Sequence, residues 1–165
     1  MAIIAARIDG RLVHGQVANL WTTKLGPTRI IVVDDAAAKS DVEKSGLRMA
    51  TPDGVRLSVL DTERAAKQIL DHRYDSQKVF LVAKRPETYL TLVKAGVPIK
   101  EINVGNMSQT DETRSITKSI NVVDADVETF EELDSLGVHL VAQMVPGDPA
   151  ADFMSLLKKD RRSEQ

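Results

Sequence analysis

The sequence predicts a single α/β domain, folded as a three-layer α/β/α sandwich around a mainly parallel sheet. Short apolar runs alternate with longer amphipathic stretches along the chain, which is typical of βαβ units. Several of these runs are nearly continuous in Ile, Val, Leu and Ala, as expected of parallel strands that are covered on both faces. Because the crossovers between parallel strands are right-handed, such units place helices on both sides of one sheet.

The apolar runs indicate seven candidate strands. The first run lies at the start of the chain; its apolar part is too short for a signal peptide and has no leading basic region, so we interpret it as a strand. In chain order the candidate strands are Ala2–Ile8, Thr28–Val33, Val55–Leu60, Lys78–Ala83, Ile99–Val104, Ile120–Val123 and Val138–Gln143.

Amphipathic stretches between the strands predict six helices. Asp126 and Thr62 are residue types that cap helix N-termini, and Pro86 suits a first helical turn. Gly96 and Gly137 stand where helices are expected to stop. The predicted helices are Gly15–Lys24, Lys39–Ala50, Thr62–His72, Glu87–Ala95, Val127–Leu136 and Ala150–Lys158.

Composition narrows the function classes. The 165 residues fit one domain spanning residues 1–165, without an internal repeat or a linker. The net charge of -2 and the lack of a basic stripe argue against nucleic acid as a partner. The absence of cysteine excludes disulfides and thiolate chemistry, and no segment approaches the length of a membrane span. The histidines lack metal-ligand spacing, so we expect no metal and no cofactor.

The loop after the first strand carries the main candidate site. It reads Arg-Ile-Asp-Gly-Arg-Leu-Val-His-Gly-Gln-Val over residues 7–17, between a buried strand and a helix. Ligands of open α/β sheets bind beyond the carboxyl ends of the strands. If Gly15 opens the helix, free N–H groups there, including that of Gln16, form a phosphate site beside His14.

These residue types fit phosphoryl transfer. A neutral imidazole at His14 is a nucleophile that can hold a phosphoryl group. Arg11, together with Arg7, is placed to donate hydrogen bonds to the phosphoryl oxygens, and Asp9 to fix an arginine or orient the imidazole. Two structural alternatives remain open: His14 as a surface or capping residue, and Arg7 with Asp9 as an ion pair that closes the strand.

Two further loops are candidates for the same edge of the sheet. Backbone amides of Gly105, Asn106 and Met107, after an apolar strand, complete a phosphate cradle or form a structural turn. Asp34 and Asp35 follow the second strand, where they cap the next helix or line the rim of the His14 site. Their register does not fit a receiver domain, and the Asp-x-Asp motif that a haloacid-type phosphatase needs directly after a strand is absent.

The Arg7–Val17 loop resembles the active-site loop of the enzyme IIB component of the mannose/fructose/sorbose family of the phosphoenolpyruvate-dependent sugar phosphotransferase system. The similarity continues through Ile30–Asp35, residues 49–52, residues 97–107 and residues 137–146, and so covers essentially the whole chain in order. Many family members carry a second Asp where this chain has Gly10, a difference expected to loosen the loop slightly.

The resemblance implies a protein-N(pi)-phosphohistidine–sugar phosphotransferase, with a seven-stranded sheet that has one antiparallel strand near its edge. His14 would accept phosphate, at Nδ1, from a phosphorylated IIA component. It would pass the group to a sugar brought in by the membrane IIC and IID components, with Arg11 and Asp9 beside the phosphoryl group. The implied location is cytoplasmic, peripherally associated with that transport complex. A homo-oligomer is compatible with the sequence but not required by it.

Two other function classes stay open at this level. One is a non-catalytic sugar- or nucleotide-binding module on the same fold, which would need a deep pocket with convergent polar groups. The other is a regulatory protein that accepts phosphate but does not support sugar phosphorylation. Replacement of His14 by Ala distinguishes the first of these from a phosphoryl carrier.

Overall fold

The computed structural model describes residues 2–163 and confirms the predicted α/β sandwich, with a mainly parallel seven-stranded sheet. In chain order the strands are β1 Ile3–Asp9, β2 Arg29–Val33, β3 Arg56–Leu60, β4 Val79–Ala83, β5 Glu101–Asn106, β6 Arg114–Ser115, β7 Asn121–Val122, β8 His139–Ala142 and β9 Ala151–Asp152. The helices are α1 Gly15–Leu25, α2 Asp35–Ala38, α3 Asp41–Ala50, α4 Thr62–Leu70, α5 Pro86–Lys94, α6 Asp124–Ser135 and α7 Phe153–Ser163.

The strand order of the main sheet is β3-β2-β4-β1-β5-β8-β9, and all neighbours are parallel except the antiparallel pair β8 and β9 at the edge. The antiparallel edge strand is therefore confirmed, but the predicted strand Ile120–Val123 is not part of this sheet. It shortens to β7, which pairs with β6 in a separate antiparallel ribbon. Strands of two residues, such as β6 and β9, show no alternation, and the sequence pattern therefore missed them.

Two apolar cores lie on opposite faces of the sheet. The larger core packs α4 to α7 against one face and includes the fully buried rings of Tyr89, Phe130 and Phe153. The smaller core packs α1 to α3 over β2 and β4 and includes Trp21 and Leu47. On that second face, polar side chains project from β1 and β5, and the functional site is built from them.

The helix ends follow the predicted chemistry with two shifts. Gly96 and Gly137 have left-handed φ angles of +102° and +87° just after α5 and α6, as predicted for helix stops. The cap of α4 is Asp61 rather than Thr62; its carboxylate accepts the N–H of Arg64 at 2.7 Å. Asp126 is not itself the cap of α6 but accepts the N–H of the cap residue Val123 at 3.0 Å.

The first turns of α5 and α6 bring two carboxyl groups together. Burial, followed by a hydrogen bond with Asp126, raises the pKa of Glu87 from 4.5 to about 7. Because the folded state then binds this proton more tightly than the unfolded chain, the Glu87 contribution to stability falls as the pH rises from about 4.5 to 7 and stays low above it.

We therefore expect Glu87→Gln, which keeps a neutral donor toward Asp126, to raise the free energy of unfolding by about 1 kcal/mol at pH 8 and to have little effect at pH 5. This magnitude is smaller than the pKa shift alone would give, since Glu87 is only partly buried and solvent screens it. Urea unfolding at both pH values measures the difference. Glu63→Gln, an exposed first-turn carboxylate of α4, is the control, and an equal response of the two variants would contradict the assignment.

Candidate active site

The site lies in the loop between β1 and α1. His14 is the N-cap residue of α1 and makes no side-chain cap bond, while Gly15 opens the helix at φ +42°. Leu12 adopts a left-handed φ of +61°, which is costly for a branched side chain and is typically retained at functional sites. The buried side chains of Leu12 and Val13 anchor this loop to the smaller core, which leaves the His14 side chain 27% exposed.

The sheet topology explains why a site forms here. The chain leaves β1 toward α1 on one face, whereas it leaves the neighbouring strand β4 toward α5 on the other face. Divergent connections at adjacent strand ends open a crevice, the usual place for ligands in sheets of this kind.

Asp9 connects the predicted site residues. Its carboxylate is buried, with 1% of the residue exposed, and its Oδ1 accepts the backbone N–H of Arg11 at 2.9 Å. Its Oδ2 lies 3.3 Å from Nε2 of His14. An imidazole whose Nε2–H donates to this carboxylate presents its Nδ1 lone pair on the opposite edge of the ring. The structure thus brings together three predicted residues: Asp9, Arg11 and His14.

Arg7 is buried beneath them, and all five of its N–H donors have protein acceptors. Nε and one Nη2 hydrogen point to Oδ2 of Asp9, at 3.3 and 3.1 Å. The other Nη2 hydrogen reaches the carbonyl of Met144 at 2.9 Å, and Nη1 donates to Oδ1 of Asn103 and to the carbonyl of Gln143 at 3.1 Å. The phosphate-binding role predicted for Arg7 does not fit this geometry, because no donor remains. Burial lowers the pKa of Arg7, and the Asp9 carboxylate offsets part of this effect.

Gly105 makes room for that guanidinium rather than for phosphate. A Cβ atom at this position would lie 2.1 Å from Cζ of Arg7, closer than real side chains allow. The sequence predicts that the amide of this glycine completes a phosphate cradle or forms a structural turn; what the structure shows is that its lack of a side chain leaves space for Arg7. Any larger residue would displace the side chain that holds Asp9.

The turn at the end of β5 has fewer free backbone amides for phosphate than the sequence predicts. The N–H of Met107 donates to the carbonyl of Ser119 at 2.8 Å and its side chain is in the larger core, so its amide is not available to phosphate. The carbonyl of Asn106 accepts the N–H of Gly10 at 3.0 Å. Gly10 itself is closely packed, because an added Cβ would lie 2.7 Å from Oγ of Ser108.

The exposed phosphate-binding candidates are the first residues of α1 and the Arg11 side chain. Gly15, Gln16 and Arg11 are all exposed around His14. The N–H groups of a first helical turn have no acceptor within their own helix and carry the positive end of the helix dipole. Together with Arg11 they add positive charge to the loop that carries the partly exposed imidazole of His14.

Three contributors to the site were not predicted from the sequence: the Asn103 side chain and the carbonyls of Gln143 and Met144. One signal existed, since Asn103 interrupts a strand whose flanking residues Ile102 and Val104 are fully buried. Strand alternation directs such a polar residue to the opposite face. The carbonyl acceptors have no sequence signal.

The aspartate pair after β2 lies in the next loops of the same sheet edge. Asp34 caps α2 by accepting the N–H of Ala37 at 2.9 Å. Asp35 accepts the N–H and the hydroxyl of Thr62 at 2.7 and 2.9 Å, and these bonds hold the pKa of Asp35 below its usual value. Of the two open alternatives for this pair, the structure shows helix capping for Asp34.

Residues 3–165 match the family model described as the PTS system sorbose subfamily IIB component. The chain is 36% identical to the fructose-specific EIIB component of Bacillus subtilis, covering 96% of this chain and 97% of that one. It is 35% identical to the mannose-specific EIIAB component of Escherichia coli, covering 96% of this chain and 49% of that one.

A solved structure gives the same result. The IIBSor domain of the sorbose permease from Klebsiella pneumoniae superposes with a TM-score of 0.93 at 33% identity, covering 96% of this chain and 98% of that one. The match to the family model spans nearly the whole chain and includes every residue of the site described above. This chain therefore belongs to the IIB components of the mannose and sorbose family of the sugar phosphotransferase system.

Proposed function

We propose that this chain accepts a phosphoryl group on Nδ1 of His14 from a phosphorylated IIA component and transfers it to a sugar carried by membrane IIC and IID components. The observation that carries the proposal is the contact of 3.3 Å between His14 Nε2 and the buried Oδ2 of Asp9. It directs Nε2 into the protein and leaves Nδ1 for the reaction.

Phosphoryl transfer then proceeds in two displacement steps. The Nδ1 lone pair of His14 attacks the phosphorus atom, the P–N bond to the donor histidine breaks, and the donor imidazole keeps that electron pair. Phosphorylated His14 retains its Nε2 proton, and the Asp9 carboxylate stabilises the resulting positive charge on the ring. In the second step a sugar hydroxyl attacks phosphorus, the electron pair of the P–N bond returns to Nδ1, and the hydroxyl proton passes to water.

Arg11 and the first turn of α1 supply the charge for the transferring group. Phosphoryl transfer is catalysed mainly by positioning and by electrostatic stabilisation of the equatorial oxygens. The Arg11 side chain is exposed three residues before His14, and Asp9 fixes its backbone, so in this proposal the guanidinium is the charged donor to a group on His14. The exposed N–H groups of Gly15 and Gln16 provide additional donors.

The comparisons support these partners. The mannose-specific relative bears the name EIIAB, in agreement with a IIA donor. The three relatives act on different sugars by name, at 33% to 36% identity, so we propose a sugar acceptor as a class rather than one sugar. None of the helices within residues 2–163 is long and apolar enough to cross a membrane, so in this proposal contact with the bilayer comes through the IIC and IID components.

Replacement of His14 by Ala is expected to abolish phosphorylation of this chain. The assay reconstitutes the relay with phosphoenolpyruvate, enzyme I, the histidine carrier protein and a family IIA component, and maps the acid-labile phosphoryl group by mass spectrometry. His72→Ala and His139→Ala are matched controls, since both histidines are exposed and lie outside the site.

Label on His14 that moves to sugar after addition of membranes carrying IIC and IID agrees with the proposal. Label on His14 that no family membrane can discharge indicates the sensor alternative. Label that survives in His14→Ala, or no label with an active donor, contradicts the proposal.

Arg11→Ala is expected to slow phosphorylation of His14 by about 100-fold, because one charged donor to the transition state is worth roughly 3 kcal/mol. Arg11→Lys keeps the charge but not the forked donor, and should recover only part of the rate. Single-turnover rates with a phosphorylated IIA component measure both effects. Arg64→Ala, an exposed arginine on α4, is the control, and a wild-type rate for Arg11→Ala would remove Arg11 from the mechanism.

A further inference from the structure

Trp21 is the only tryptophan of the chain, and its indole lies in the polar cluster under the active site rather than in a purely apolar contact. The residue is 8% exposed, and its Nε1–H donates to the carbonyl of Met144 at 3.0 Å. The same carbonyl accepts an Nη2 hydrogen of Arg7 at 2.9 Å. The Arg7 guanidinium also lies 5.3 Å from the centre of the indole ring, within the range of a cation–π interaction.

Together with helix α1, these contacts form a closed loop of interactions. Trp21 binds the Met144 carbonyl, the carbonyl binds Arg7, Arg7 binds Oδ2 of Asp9, and Oδ2 faces Nε2 of His14. Trp21 and His14 are seven residues apart, so α1 carries one at its N-cap and the other two turns further on the same side. Helix α1 is therefore attached to this series of polar contacts at two places, at His14 and at Trp21.

The segment after β8 is stabilised by further hydrogen bonds of its own. The amide of Gln143 donates to the carbonyls of Pro146 and Asp148 at 3.3 and 2.9 Å. Nδ2 of Asn103 donates to the carbonyl of Gln143 at 2.9 Å. Trp21 thus ties α1 to the hydrogen-bonded segment after β8, two helical turns from His14.

We propose that Trp21 is a positioning residue for His14: its indole N–H sets the orientation of α1 and of Arg7, and so holds the Asp9 carboxylate against Nε2. The expected effect on the phosphorylation rate rests on the proposed function, whereas the expected effect on the tautomer of His14 does not. A loss of the indole N–H lets Arg7 and Asp9 shift, so His14 loses its preference for the Nε2–H tautomer and presents Nδ1 less often.

The first test replaces only the hydrogen-bond donor. Trp21→Phe keeps an aromatic ring near Arg7 but removes the N–H. Phosphoramidate serves as a small donor, from which phosphoryl transfer to Nδ1 breaks a P–N bond and releases ammonia, so docking of a partner protein cannot affect the rate. We expect the rate at saturating phosphoramidate to fall by about 10-fold to 100-fold, with little change in the KM for phosphoramidate.

Long-range proton–nitrogen NMR of the unphosphorylated protein provides the readout that a purely structural role would not move. Neutral His14 is expected to be mainly the Nε2–H tautomer in the wild type and a mixture in Trp21→Phe. Leu20→Ala, an exposed neighbour on α1, is the control and should change neither rate nor tautomer. If Trp21→Phe does not fold, benzothienylalanine at position 21 keeps the size of the ring and exchanges only the N–H for sulfur.

Loss of rate together with a mixed tautomer supports the proposal. If phosphoramidate labels no histidine, a mixed tautomer in Trp21→Phe still supports the role of Trp21, and the missing label counts against the proposed function. A wild-type tautomer in the variant overturns the proposal. A slower variant whose only change is a higher KM for phosphoramidate also overturns it.

Discussion

The buried guanidinium of Arg7 is the interaction on which the rest of the site depends. A charged group at 3% exposure is tolerated only if its donors are all satisfied, and here five N–H groups meet four acceptor atoms, because Oδ2 of Asp9 accepts two of them. These acceptors come from β1, from β5 and from the segment after β8, so one side chain joins three strand ends. Tyr89 completes the anchor from the opposite face, because its hydroxyl accepts the Arg7 N–H at 3.0 Å and lies 2.8 Å from the Arg7 carbonyl.

This constraint separates two kinds of residue that look alike in the sequence. Arg7 and Arg11 flank the same aspartate, and both were predicted to bind phosphate. Arg7 lies on an inner strand position and is consumed by the fold, whereas Arg11 lies beyond the strand end and keeps its side chain in solvent. Asp9 is shared between the two roles: Oδ2 serves Arg7 and His14, and Oδ1 holds the Arg11 backbone. One carboxylate therefore both binds the buried arginine of the fold and contacts the histidine of the proposed reaction.

Much of this could be predicted from the sequence, and the failures have physical causes. The strands β2 and β4 were predicted correctly from their apolar runs, and α4 from its amphipathic pattern. In these elements the pattern of apolar residues in the sequence matches the pattern of buried residues in the fold. The two-residue strand β9 has no period to detect, and it is the seventh strand of the main sheet, whereas the candidate strand Ile120–Val123 is not part of that sheet. The His14 loop was identifiable from its residue types and spacing. The roles of Gly105 and of the Met144 carbonyl depend on backbone positions that meet only in the folded chain, so no local pattern encodes them.

We infer that the fold presents one nitrogen of one histidine, Nδ1 of His14, to the phosphoryl donor. The most direct measurement is a proton–nitrogen correlation spectrum of the phosphorylated, nitrogen-labelled wild-type protein, which identifies the ring nitrogen that carries phosphorus. We expect phosphorus on Nδ1 of His14, with a protonated Nε2 still hydrogen-bonded to Asp9. Phosphorus on Nε2, or on another residue, would contradict it.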